Sequence, residues 1–318
     1  VYGQYDYLVR GNTVVRPGSD AAVVRIKGTR KAVAMSVDCN SRYCYLDPYV
    51  GAMIAVVEGA RNVVCAGGRP LAITDCLNFG NPEKPEVMWQ FQAAIRGIRD
   101  ACLALDLPVI SGNVSFYNET DGRSIAPTPT IGTVGLLEDV DRHTTQWFKG
   151  EGDLVILLGV TREEVGGSEY MALAHGQVRG APPWIDLEVE RRVQKLCLEA
   201  IEEDIVRSAH DIAEGGLAVA LAECCMTGPG PGFGAVLDLE GSIRPDALLF
   251  GESQSRIVLS IRKRQLGRLR DLATRAEVAL TVLGEVRGTR LVIGTLIDSP
   301  ITELRKVWTS ALPRRMGA

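Results

Sequence analysis

Short apolar runs of strand length alternate with longer stretches of helical periodicity along the whole chain. Residues 31–37 read as a strand. Asp47 then offers an N-cap and Pro48 a first helical position, and apolar residues at Val50, Ile54, Val57 and Val64 keep helical spacing. Gly67 and Gly68 suit the C-cap of that helix. The pattern next predicts a strand over 70–74 ending at Asp75, an amphipathic helix over 86–105, a strand over 108–111 ending at Gly112-Asn113, and a strand over 130–137. A boundary is predicted near 149–153, where Gly150 and Gly152 flank Glu151.

Beyond it, 154–159 is an apolar strand. Residues 187–203 form a helix with a stripe at Val189, Val193, Leu196, Cys197 and Ala200. A strand over 205–209 leads to His210-Asp211, and a helix follows over 215–225. Gly228-Pro-Gly-Pro-Gly232 reads as a mobile loop. Strands over 256–261, 279–286 and 290–297 and helices over 266–275 and 301–311 complete the pattern. The fold class predicted is α/β followed by α+β: an N-terminal α/β domain over 1–148 and a C-terminal α+β domain over 149–318. No repeat of 20–50 residues is visible.

The composition, 318 residues with 46% hydrophobic and 23% charged, is that of a globular chain with a substantial core. The net charge of −4 gives no electrostatic footprint for nucleic acid. No apolar run is long enough to span a membrane, and the start of the chain does not read as a signal peptide. The missing initiator Met fits a fragment of something longer. The eight cysteines form no C-x-x-C pair and no zinc-spaced cluster with histidine, so they read as reduced, mostly buried thiols of a cytoplasmic protein.

Polar residues recur where strands are predicted to end: Asp38, Asp75, Asn113 and Asp211. Ligands of α/β sheets gather at the carboxyl ends of strands, and acidic and amide oxygens there suit Mg²⁺ together with phosphate. Glu58 and Asn62, four apart, share one face of the first long helix and could complete a Mg²⁺ site with Asp38, whereas the adjacent Arg61 is expected to point elsewhere. Equally, that face could simply be solvated. Gly112 stands where a backbone could approach a phosphate. Gly215-Gly216 and Gly166-Gly-Ser168 each stand at a helix start, a common anion-binding geometry. The segment 74–83 reads as a loop rich in turn formers. There is no P-loop, no nucleophile elbow and no recognisable triad around His143, His175 or His210.

Taken together, Asp38-Cys-Asn-Ser-Arg-Tyr-Cys-Tyr-Leu-Asp-Pro-Tyr49, Glu58-Gly-Ala-Arg-Asn62, Asp75-Cys-Leu-Asn-Phe-Gly-Asn-Pro-Glu83 and Gly112-Asn-Val-Ser-Phe-Tyr-Asn-Glu-Thr120 resemble the small, separately encoded type of phosphoribosylformylglycinamidine synthase subunit. Gly166-Gly-Ser-Glu-Tyr170, His210-Asp-Ile-Ala-Glu-Gly-Gly216 and Gly251-Glu-Ser253 fit too, so the resemblance spans the chain. That subunit is similar to two fused aminoimidazole ribonucleotide synthetase-like units, and this chain resembles the second, C-terminal one. It lacks the Ser-His-Asn-His-Pro-Ser segment, with the family's catalytic histidine, that the first unit carries.

The resemblance implies an ATP-dependent, amidine-forming C–N ligase of purine biosynthesis. ATP phosphorylates the amide oxygen of formylglycinamide ribonucleotide, and glutamine-derived ammonia displaces phosphate. It implies ATP/ADP and Mg²⁺ as cofactors. The implied partners are the N-terminal half of the synthase, a glutaminase subunit and a small accessory subunit. The first domains pair into a closed β-barrel, so the isolated chain is expected to form a homodimer. Carried over residue by residue, Asp75 and Gly112 contact nucleotide, Asn113 binds Mg²⁺ and Ser115 contacts substrate in a site shared with the other half. Asp38, Glu58, Asn62 and Asp211 hold Mg²⁺ on a second nucleotide, which Asp211 and Ala213 contact. Two other readings stand beside this one. One is a complete ATP-using relative such as aminoimidazole ribonucleotide synthetase or selenophosphate synthetase, against which the absence of a Gly- and Lys-rich loop over 2–16 counts. The other is a non-catalytic nucleotide-binding half that serves as an assembly surface.

Overall fold

The computed structural model describes residues 6–239 and 242–317. The first part of the 2–16 segment therefore lies outside the described residues.

The first unit is built from β1 (Thr13–Val15), β2 (Ala22–Arg25), β3 (Ala32–Asp38), α1 (Ser41–Leu46), α2 (Pro48–Cys65), β4 (Arg69–Asn78), α3 (Pro85–Leu105), β5 (Val109–Ser115), the short hairpin β6 (Glu119–Thr120) and β7 (Arg123–Ser124), and β8 (Thr128–Leu137). Its main sheet runs β1-β2-β3-β8-β4-β5, antiparallel except for the parallel pair β4–β5.

The second unit contains β9 (Leu154–Leu158), α4 (Glu169–His175), α5 (Leu187–Glu202), β10 (Val206–Asp211), α6 (Gly216–Met226), β11 (Ala235–Leu237), α7 (Pro245–Phe250), β12 (Ile257–Ile261), α8 (Leu266–Ala276), β13 (Leu280–Val286), β14 (Arg290–Ile293), β15 (Ile297–Pro300) and α9 (Ile301–Arg315). Its sheet runs β10-β12-β9-β13-β11-β14-β15, with only β11–β14 parallel. The α/β and α+β character expected from the pattern is present, in sheets that are mostly antiparallel.

Helix α2 is the pivot. Asp47 caps it by accepting from the amides of Tyr49 and Val50, and Gly67 leaves its far end with φ +89°. It is buried on every face, lying under β3, β4 and β8 and against α3 of its own unit, and also against α5 and β10 of the second unit. A helix enclosed on all sides must pair any polar group it carries. Glu58, Arg61 and Asn62 are such groups, and this excludes the solvated-face reading of 58–62.

Several strand ends differ from the pattern. β4 continues to Asn78 and β5 to Ser115, so Asp75, Gly112 and Asn113 lie within strands rather than at their ends. The turn formers of 74–83 misled here: the first five residues pair with β5 and β8, and β-ladder bonds override the local preference. The segment 290–297 is the hairpin β14–β15 rather than one strand, because Gly294 adopts φ +48° at its tip. Arg305 ties the Gly-Pro-rich segment to the end of α6, its Nη1 donating to the Gly230 carbonyl at 2.6 Å and its Nε to the Met226 carbonyl at 2.8 Å. Six of the eight cysteines are buried, Cys76 is exposed and Cys39 is half-buried; none is bridged.

Candidate active site: an acidic pocket at the junction of the two units

Two strand ends converge on α2. Asp38 closes β3 in the first sheet and Asp211 closes β10 in the second. Between them α2 presents Glu58 and Asn62 into a cavity of about 360 Å³ that is also lined by Asp20, Ala213, Glu214 and Glu223. Asn62 donates from Nδ2 to Asp38 Oδ1 at 2.9 Å. The four residues Asp38, Glu58, Asn62 and Asp211 are therefore brought together, with Ala213 beside them.

Gly59 makes this close approach feasible. A Cβ there would meet Thr133 Oγ1 at 2.5 Å and Asp38 Oδ2 at 3.1 Å. In its place, Ser36 Oγ donates to the Gly59 carbonyl at 2.9 Å and ties α2 to β3.

The pocket concentrates negative charge out of water. Burial, then repulsion from Asp211, pushes the Asp38 carboxyl up to about 7. Burial pushes Asp211 up to about 6 although Arg61 draws it back. Burial, with Glu214, Asp211 and Asp38 adding to it, raises Glu58 well above the usual carboxylate range. For His210, burial opposes the charged imidazolium. Asp20 on Nδ1 at 2.9 Å and Glu223 on Nε2 at 3.0 Å outweigh it and raise its pKa well above the ordinary value.

Two carboxylate oxygens here, Asp20 Oδ2 and Asp38 Oδ2, are buried without a hydrogen-bond partner, and Asp211 Oδ2 has only the ionic contact with Arg61 Nε at 3.5 Å. Orphaned buried oxygens next to like charges fit a hard divalent cation, which takes oxygen ligands and offsets the repulsion. Asp20, His210 and Asp211 also place one potential ligand atom each within 4.8 Å of the others. Asp20 and Glu214 were not singled out in the sequence, since no periodicity links a residue in the 16–21 turn to β10. Asp20 Oδ1 also accepts from the Asp211 amide at 2.9 Å, which fixes the strand end it serves.

Arg61 does not point elsewhere. It is fully buried and reaches Glu190 at 2.9 Å and Asp211 at 3.5 Å. The two glycine-rich helix starts differ from expectation as well. The amides of Gly215 and Glu169 both donate to Glu252 Oε1, at 2.7 and 2.9 Å, and the Tyr43 hydroxyl donates to the other oxygen. Glu252, fully buried, thus occupies the anion position at the starts of α4 and α6.

The second predicted set lies apart. Asp38, Ile131, Asp75 and Gly112 form one row across β3, β8, β4 and β5. Asp75 is therefore two strands, about 10 Å, from Asp38 and does not join the acidic pocket. Its carboxylate lies against Gly112, where a Cβ would meet Oδ1 at 2.3 Å. Burial raises the Asp75 pKa. Asn113 and Ser115, on the alternate positions of β5, share the opposite face with Thr74, Cys76 and Asn78. β5 is a sheet edge, and nearly all of it is exposed.

No helix among the described residues is long and apolar enough to cross a membrane. The sequence matches two family profiles, AIR synthase related protein, N-terminal domain, over residues 18–137, and AIR synthase related protein, C-terminal domain, over residues 150–296. It is 53% identical over 321 aligned residues to the phosphoribosylformylglycinamidine synthase subunit PurL of Moorella thermoacetica, covering 100% of this chain and 43% of that protein. It is 50% identical over 316 residues to the PurL subunit of Alkaliphilus metalliredigens, covering 98% of this chain and 42% of that one. The chain thus spans less than half the length of these relatives. Its fold is similar to that of Thermotoga maritima PurL complexed with FGAR, with a TM-score of 0.77 at 21% identity over 92% of this chain and 49% of that one. A thiamine-monophosphate kinase from Stenotrophomonas maltophilia follows with a TM-score of 0.60 at 16% identity, covering 90% and 92%. Matched by both domain profiles in order, and similar from end to end to PurL subunits, the chain belongs to the AIR synthase related family.

Proposed function

We propose that this chain is the C-terminal half of a phosphoribosylformylglycinamidine synthase. In this reading it works with an N-terminal half, a glutaminase subunit and a small accessory subunit, in the cytoplasm, to convert formylglycinamide ribonucleotide to its amidine with ATP and glutamine-derived ammonia. Residues 1–148 form its nucleotide- and Mg²⁺-binding domain and residues 149–318 its second domain.

The observation that carries the proposal is the acidic pocket with its orphaned carboxylate oxygens. Asp38, Glu58, Asn62 and Asp211 hold Mg²⁺ there, and Ala213, beside Asp211, leaves space for the nucleotide. Bound Mg²⁺ supplies charge neutralisation for phosphate oxygens. The protein orients the ligands: Asn62 fixes Asp38, and Asp20 fixes the Asp211 amide. With Glu252 filling both glycine-rich helix starts, phosphate is recognised here through metal rather than through free amides.

Asp75 and Gly112 contact a second nucleotide, Asn113 holds its Mg²⁺ and Ser115 contacts substrate, once another unit covers β5. The exposure of that edge favours a further reading for the chain by itself, as a nucleotide-binding and assembly half without turnover.

Calorimetric titration with Mg-ADP and Mg-ATP tests the proposal. Wild type is expected to bind, Asp38→Ala to lose binding, and Asp75→Ala to retain it. Absence of binding in wild type would remove the acidic pocket as a nucleotide site.

A further inference from the structure

Arg61 is the buried charge that the nucleotide reading leaves without a task. It lies in α2 between Glu58 and Asn62, is fully buried, and touches four side chains from both units. Nη1 reaches Glu190 Oε2 of α5 at 2.9 Å and Nη2 reaches Gln254 Oε1 at 3.0 Å. On the pocket side, Nε stands 3.5 Å from Asp211 Oδ2 and Nη2 3.9 Å from Glu58 Oε2. Neither Arg61 Nε nor Asp211 Oδ2 makes a hydrogen bond, so their 3.5 Å ionic contact stands alone for both atoms.

The brace is built as carefully as the site. Glu190 is fully buried, accepts from Ser255 Oγ at 2.7 Å, and accepts from Gln194 Nε2 at 2.8 Å. Gln194 reaches back to the Val57 carbonyl on α2 at 3.0 Å. The guanidinium is planar and its donors have fixed directions, so pinning two of its nitrogens from the second unit fixes the third. That third nitrogen decides which oxygen of Asp211 faces Arg61 and which faces the cavity. Partners of this kind, behind the ligands, set metal affinity by orienting the groups that do the binding.

We infer that Arg61 is a positioning residue for the acidic pocket, braced by Glu190, so that cation and nucleotide binding are coupled to the packing of α2 against α5. This rests on the pocket being the Mg²⁺-nucleotide site proposed above.

The test is calorimetry of Mg-ADP with wild type, Arg61→Lys, Glu190→Gln and the double variant, alongside melting temperatures in chelator and in Mg²⁺. Each single variant, folded, is expected to bind about tenfold or more weakly, the equivalent of 1.4 kcal/mol or above. The double variant is expected to be no weaker than the worse single one, because both act through one contact. The Mg²⁺-induced rise in melting temperature should shrink with them. A merely structural Arg61 would lower melting in chelator and leave the affinity of the folded protein unchanged, and that result overturns the inference. Should Arg61→Lys fail to fold, Glu190→Gln decides, since it leaves every pocket carboxylate in place. Gln254→Met, which removes the other brace, decides if both fail. If wild type binds no Mg-ADP, the nucleotide reading falls and takes this inference with it. If wild type binds and the variants bind equally, only the role of Arg61 falls.

Discussion

Arg61 and Glu190 meet as a fully buried ion pair, Nη1 to Oε2 at 2.9 Å, and they come from different units of the chain. Removing one member of such a pair strands the other charge in a dry environment. Glu190→Ala is therefore expected to destabilise the chain by about 3–5 kcal/mol, measured by urea denaturation. A loss below about 1 kcal/mol would mean that water reaches the pair.

Asp38 has an unpartnered Oδ2 and accepts from Asn62 through Oδ1. Asn62→Ala removes that orienting bond and a proposed ligand, whereas Asp38→Asn removes the charge. Both variants are expected to lose Mg²⁺-dependent nucleotide binding, Asp38→Asn by at least about a hundredfold if its share in the site is near 3 kcal/mol. Equal binding by Asp38→Asn and wild type in equilibrium dialysis would contradict the ligand assignment.

Gly59 lets α2 approach β3 and β8 closely enough for Glu58 and Asn62 to reach Asp38. The added methyl of Gly59→Ala would press on Thr133 Oγ1 and Asp38 Oδ2. Helix propensity favours the substitution by about 1 kcal/mol, and overpacking opposes it by about 1–3 kcal/mol. The expected net outcome is a modestly less stable protein with a larger loss in Mg²⁺ affinity. Unchanged affinity would show that the helix can shift without disturbing the pocket.

Lys149 gives a pH signature away from the site. Its amine lies 4.1 Å from the Trp147 ring centroid, and burial pushes its pKa down to about 7. Below pH 7 both folded and unfolded chains carry the charge, and the folded one bears the desolvation cost. Between about 7 and 10.5 the unfolded chain holds the proton that the folded chain has released, so this group makes stability rise with pH. Lys149→Met is expected to stabilise by about 1–2 kcal/mol at pH 6, after the lost cation–π contact is discounted, and to give little gain near pH 10.5. Thermal melts at the two pH values check this, and a pH-independent gain would refute it.

The face of the first sheet away from α2 exposes Met35 and Val37, the latter 73% accessible. An apolar strand surface of this kind suits a second copy of the domain or the homologous unit of the other half. Light scattering is expected to give twice the 34.4 kDa chain mass, and Val37→Asp to return the monomer. A monomeric wild type at micromolar concentration would contradict self-pairing.

Periodicity and capping were enough to place α2, α3, α5 and most of the strands, because Asp47-Pro48, the stripe of 189–200 and the apolar run 154–158 are local signals that packing reinforces. Glu58 and Asn62 could be assigned to one face from helix geometry alone. Their meeting with Asp38 and Asp211 could not, since it depends on α2 packing against both β3, which ends at Asp38, and β10, which ends at Asp211, 173 positions later in the chain. The roles of Arg61, Asp20 and Glu252 were likewise decided by tertiary structure. A buried charge takes whichever partner the fold brings within about 3 Å, and that partner leaves no periodic trace in the sequence. The strand lengths of β4 and β5 were decided there too, where ladder hydrogen bonds outweighed the turn preference of Asn78 and Gly112.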